Sequence, residues 1–135
     1  MFEFLEEMEY EESPINEPRK LKIIDQGYYK EYEYFILSLQ THPCAYIILT
    51  ENDKFYHKNY DEIEGIECHG GLTYSCDYLG NDDDLFVPES EQVWVIGWDY
   101  AHDGDRVGSV DGKCWTKKEI LDEVKCVVEQ LVRVQ

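Results

Sequence analysis

The chain is short of positive charge: 12 lysines and arginines stand against 30 aspartates and glutamates, for a formal net charge of -18. Non-specific nucleic-acid binding rests on cationic side chains that displace counterions from phosphates, so no direct DNA or RNA partner is expected. Long apolar runs are missing as well. A helix that crosses a bilayer takes about 20 consecutive apolar residues. The opening MFEFLEEMEYEE is acidic where a secretory leader is basic and then apolar. The expectation is a cytoplasmic protein with no membrane partner. Paired cysteines are lacking too. Cys44, Cys68, Cys76, Cys114 and Cys126 form an odd set without a C-x-x-C, which argues against a secreted disulfide framework and a zinc ribbon and leaves reduced thiols. No H-E-x-x-H, EF-hand loop or G-x-S-x-G elbow is present, and no cofactor is expected.

What the sequence does contain is one good core. In 135 residues, 43% are hydrophobic and 14% aromatic, enough for a single domain. Residues 1–20 form an acidic arm and linker, with Pro14 and Pro18 and like charges limiting any long element. From residue 21 to 135 the pattern is that of one α+β domain. YYKEYEYFILSLQ from Tyr28, CAYIILT (Cys44 to Thr50), IECHGGLTYSCDYL and VWVIGW (Val93 to Trp98) read as strands. ENDKFYHKNYDEIEG and GNDDDLFVPESEQ read as loops. The C-terminal segment opens with Thr116 and Glu119 at capping-box spacing, and Ile120, Val124, Val127, Val128 and Leu131 recur on one helical stripe. The expected architecture is a small, mostly antiparallel sheet of four or five strands with a C-terminal helix packed on it.

Two stretches carry unusual chemistry. In CHGGLTYS, glycines interrupt strand character. Alternation would put His69, Gly71, Thr73 and Ser75 on one face and Cys68, Gly70, Leu72 and Tyr74 on the other. In VIGWDYAHDGD, Val93, Val95, Gly97 and Asp99 share a face and Trp94, Ile96 and Trp98 the other, the latter a core signature. Beyond it Asp99, His102, Asp103 and Asp105 crowd a turn marked by Gly104. If the two strands are neighbours, Gly71 and Gly97 floor one pocket walled by His69, Thr73, Asp99 and His102. The candidate ligand residues are therefore His69, Gly70, Gly71, Thr73, Ser75, Asp99, His102, Asp105 and Arg106.

Several chemistries are open to such a set. A small polar ligand would find an acceptor in Asp99, donors in the histidines and glycine amides, and a rare cation in Arg106. A metal would use Asp99, His102 and Asp105. A hydrolase would need Ser75 or a cysteine as nucleophile. Against all three stands a purely structural role, with His69 a hydrogen-bonded core histidine and Gly70–Gly71 a β-bulge. The acidic surface has its own consequences, solubility and attraction to a basic protein.

PCAYIILTENDKFYHKNYDEI, CHGGLTYS, VWVIGWDYAHDGD and WTKKEILDEVKCVVEQL together resemble a family of small, mostly uncharacterised proteins of bacteriophage and prophage genomes. The resemblance covers about Cys44 to Leu131. The chain departs from the family pattern at His57, where glycine is common, and in its added acidic arm. What the resemblance implies is an accessory factor made during infection and countering host immunity, by binding rather than turnover. One mechanism sequesters a nucleotide-like signal in the His69/Asp99/His102 pocket, as a homo-oligomer. The alternative is inhibition of a basic host defence effector by nucleic-acid mimicry through the acidic surface. A metal-dependent hydrolase is the third.

Overall fold

The computed structural model describes residues 22–38, 42–77, 79–80, 85–86, 93–102, 104–107 and 111–135. The acidic arm at 1–20, the aspartate run at 82–84 and Asp103 lie outside them.

Lys22–Tyr29 (β1) and Tyr32–Ser38 (β2) pair antiparallel with Tyr29 opposite Tyr32, and β2 carries the near-continuous apolar run of a strand covered on both faces. One strand was expected to start at Tyr28; instead Lys30 and Glu31 reverse the chain there. Their φ values are 49° and 72°, the left-handed pair of a two-residue type I′ turn whose twist matches that of the strands. Asn-Gly is the usual occupant, so Lys-Glu gives no signal in the sequence. Pro43–Thr50 (β3) continues from β2 as the expected hairpin.

Two further elements complete the main sheet. Tyr74–Cys76 (β4) is a short strand, and after it Leu79–Gly80 (β5), at the end of the stretch read as strand, pairs with Leu85–Phe86 (β6), which lies in the region expected to be plain loop. Val93–Asp99 (β7) inserts between β3 and β4, giving the order β1-β2-β3-β7-β4 with every pair antiparallel.

Lys117–Val134 (α1) lies on one face of this sheet. Its expected stripe, Ile120, Val124, Val127, Val128 and Leu131, is fully buried in a cluster with Ile36, Ile47, Leu49, Ile96 and Trp98. At about 1.5–3 kcal/mol per buried aliphatic side chain, this contact is a main source of the fold's stability. The opposite sheet face carries Phe35, Leu37, Tyr46, Val93 and Val95, also buried. The α+β architecture is thus as the sequence indicates. No helix among the described residues is long and apolar enough to cross a membrane.

The helix starts where the capping box predicts: Thr116 Oγ1 accepts from Glu119 N at 3.2 Å and Glu119 Oε1 accepts from Thr116 N at 3.0 Å. Thr116→Ala should cost about 1 kcal/mol, read as a lower thermal midpoint, and Thr116→Ser should recover most of it.

Candidate functional site

The stretch before β4 is not the strand that its composition suggests. Regular pairing begins only at Tyr74, and residues 63–73 run as an irregular connector. Gly70 and Gly71 account for the break, with φ of 69° and 81°. Gly71 N–H donates to Cys68 O at 3.0 Å, closing a tight turn that needs a left-handed residue at Gly70. The alternation expected for His69, Gly71, Thr73 and Ser75 is therefore absent.

Backbone groups outside the sheet still need partners, and helix α1 supplies them. Gln130 pairs its side-chain amide with both main-chain groups of Glu67: Glu67 N–H donates to Oε1 at 2.6 Å and Nε2–H donates to Glu67 O at 2.8 Å. Two residues on, His69 N–H donates to Glu123 Oε2 at 2.9 Å. Residues 123 and 130 stand seven apart on the helix, so they share a side and form a polar edge beside the apolar stripe. Sequence reasoning missed both. Their spacing against Val127 was the available signal.

Asp105 is the centre of the site. It is 4% exposed and accepts from the His69 ring at Nε2 (2.7 Å), the His102 backbone N–H (2.9 Å) and the Trp115 indole (2.7 Å). Burial alone would raise its carboxyl pKa, but these three donors outweigh it and hold the group below the usual carboxylate value. His69 stacks on Tyr100, with ring centres 5.0 Å apart and planes within 7°, and Trp115 lies 4.8 Å away on a tilt. Beneath, the Tyr100 hydroxyl donates to Glu123 Oε1, and the Trp98 indole reaches the same oxygen at 3.1 Å. Burial, then the Glu123 bond, pushes the Tyr100 phenol up. Burial and the nearby Glu123 charge push the Cys68 thiol to about 12, so at neutral pH it is a thiol and lacks the thiolate a nucleophile needs.

A second polar group adjoins this one. Thr73 Oγ1 donates to Asp99 Oδ2 at 3.3 Å, and His102 Nε2 lies 3.1 Å from Asp99 Oδ1, within ion-pair reach but outside hydrogen-bond geometry. Gly70 leaves room for this imidazole, since a Cβ there would overlap it. The proposed two-glycine floor does not form. Gly97 faces Tyr74 in the ladder, its spare volume is taken by the Tyr46 ring, and Gly71 has no neighbour where its side chain would be. Ser75 also lies apart, its Oγ accepting from Tyr60 N–H at 3.0 Å. Arg106 joins the turn through its backbone, N–H to Lys113 O at 2.9 Å. Among the described residues no three His, Cys, Asp or Glu side chains gather as a metal-ligand set: Asp105 turns to His69, and Asp99 to His102 and Thr73.

Thus His69, Gly70, Thr73, Asp99, His102 and Asp105 do converge from two distant motifs, with donors and acceptors turned largely on one another. No protein-family model, curated protein or solved structure matches the chain.

The depressed Asp105 pKa sets a pH dependence. Its stabilisation is complete above the unfolded-state value near 3.8 and is lost as pH falls through the lower folded-state value. Melting temperatures should drop below about pH 4, whereas Asp105→Asn, destabilised by about 3 kcal/mol at pH 7, should show a shallower acid loss; parallel profiles would contradict the assignment. Gly70→Ala should cost more than about 1 kcal/mol through its left-handed φ and shift the His102 ring resonances.

Proposed function

We propose that the protein is a non-catalytic binding protein whose acid-rich surface docks on a basic partner, filling the place that a nucleic-acid backbone occupies there. The observation that carries this reading is the stretch from Asp61 to Glu67. Asp61, Glu62, Glu64 and Glu67 are all exposed with no lysine or arginine among them. The preceding Tyr60 ties this segment to edge strand β4 through Ser75. Backed by a net charge of -18, these carboxylates speed encounter with a basic surface and turn away acidic ones. The His69 cluster argues against a nucleotide-like ligand. Asp99, Asp105 and Glu123 gather around it, whereas phosphate recognition calls for cationic donors. On the resemblance to phage proteins, the partner is a host defence effector with a nucleic-acid channel, met in the host cytoplasm.

A second reading has one specific support. His102 Nε2 is buried without a hydrogen-bond partner, which favours a small uncharged or cationic ligand at Thr73, Asp99 and His102.

The surface reading is tested on purified nucleic-acid-binding defence effectors by interferometry. The surface reading expects affinity to fall about tenfold or more between 50 and 300 mM salt, because exposed charges are screened. It expects similar loss in the quadruple variant Asp61→Asn/Glu62→Gln/Glu64→Gln/Glu67→Gln, with Asp99→Asn binding normally. Binding that ignores salt and the quadruple change would overturn it; a small bound mass in native mass spectrometry that is lost in Asp99→Asn is the result the second reading expects.

A further inference from the structure

The face of the sheet turned away from α1 is buried, although no described helix lies on it. Phe35 and Leu37 of β2, Tyr46 of β3 and Val93 and Val95 of β7 belong to its apolar cluster, with Tyr74 of β4 packed alongside. Every described hydrophobic side chain in that cluster comes from the sheet itself. Yet Leu37 and Val95 are 0% exposed and Phe35 is 9% exposed. Side chains standing side by side on a pleated surface shield each other's flanks and leave their tips open, so a face this closed implies a second layer.

The covered strip has the footprint of one helix. On the same face β1 stays open, with Ile23 40% and Tyr28 72% exposed, so the cover runs over β2, β3 and β7, which are neighbours in the sheet. Two strand spacings are about 10 Å, the width of an α-helix with its side chains. The β5–β6 ribbon, with two residues on each strand, extends only about 7 Å along its strands. Each internal stretch outside the described residues carries at most one aliphatic or aromatic side chain, namely Leu39, Tyr78, Val87 or Val110.

The first residues of the chain match what the strip needs. Met1, Phe4, Leu5 and Met8 recur at i, i+3, i+4 and i+7, the spacing of one helical stripe, and Glu3, Glu6 and Glu7 fall on the other side. Residues 13–21 can extend about 30 Å and lead into Lys22 at the start of edge strand β1, whereas β3 lies about 10 Å from that edge. The link therefore reaches with slack.

We propose that residues 1–10 form a short amphipathic helix that docks on this face, with Met1, Phe4, Leu5 and Met8 against Leu37, Tyr46 and Val95, and that holds Glu3, Glu6 and Glu7 outward as a further acidic contact for the partner. A helix this short has little stability of its own, and the apolar face supplies what it lacks. The contact with the partner rests on the basic-partner reading; the docking stands apart from it.

The test uses the intact protein labelled at its methionine methyls. The chain has two methionines, Met1 and Met8, so the two resonances report on this segment alone. The expected result is nuclear Overhauser contacts from the Met8 methyl to the Leu37 and Val95 methyls and the Tyr46 ring. Phe4→Ser/Leu5→Ser should remove them, lower the melting temperature and create binding of the dye ANS, a mark of exposed apolar surface. Should that variant fail to fold, the contacts in the unaltered chain decide alone. A Met8 methyl without contacts to the sheet would overturn the proposal, as would contacts that arise between chains in a mixture of labelled and unlabelled protein, which would make a second copy the occupant. Glu3→Gln/Glu6→Gln/Glu7→Gln should keep the contacts and weaken effector binding about fivefold, the scale of a few exposed ion pairs. If the contacts persist and this triple variant binds effector normally, the outward glutamates lose their role and the docking stands. If the Asp61–Glu67 quadruple variant also binds normally, the basic-partner reading itself fails.

Discussion

A buried carboxylate has to be met by donors or it unfolds its surroundings, and Asp105 is met by three. The His69 ring, the backbone amide at His102 and the Trp115 indole come from the connector before β4, the turn after β7 and the lead-in to α1. The turn and the lead-in share one isolated bridge, Asp105 with Lys113, while the connector at His69 pairs with no strand. The carboxylate therefore does for irregular chain what a ladder does for strands: it sets where the pieces stop relative to one another. Tyr100, itself held by Glu123, and Trp115 then pack on the His69 ring, so the carboxylate and the aromatic cluster brace one another.

Helix α1 joins this arrangement to the core. Its apolar stripe binds the sheet while Glu123 and Gln130, on the adjoining side, accept and donate to the connector's backbone. A helix that only needed to cover the sheet would have no use for two polar side chains there. Their presence keeps three carboxylates, Asp99, Asp105 and Glu123, close to the convergence of the two motifs. That concentration of acceptors makes a poor receptor for phosphate, which is why contact with a basic protein is the function proposed.

Much of the fold was legible in the sequence. The capping box at Thr116 and the stripe from Ile120 to Leu131 report the helix because both depend on local spacing, and Val93 to Trp98 reports a strand buried on both faces because its whole run is apolar. The connector misled because β-branched and aromatic residues around CHGGLTYS outweigh two glycines in composition, while in space the left-handed Gly70 and Gly71 decide the path. The Lys30–Glu31 turn was hidden for the opposite reason, its residues being ones that avoid the conformation they adopt. As for the site, some of the expected residues are neighbours, in a geometry that strand alternation did not give. His69, Asp99, His102 and Asp105 meet, but Asp105 is the hub, Gly97 is filled by Tyr46, and the helix partners Glu123 and Gln130 were missed because their spacing shows a shared side of the helix and not the distant backbone it meets.

The most direct measurement of the central claim is a competition experiment: whether duplex DNA and this protein can occupy a nucleic-acid-binding effector together. The account predicts mutual exclusion, with each displacing the other and no ternary species by native mass spectrometry. A stable ternary complex of effector, DNA and this protein would contradict it.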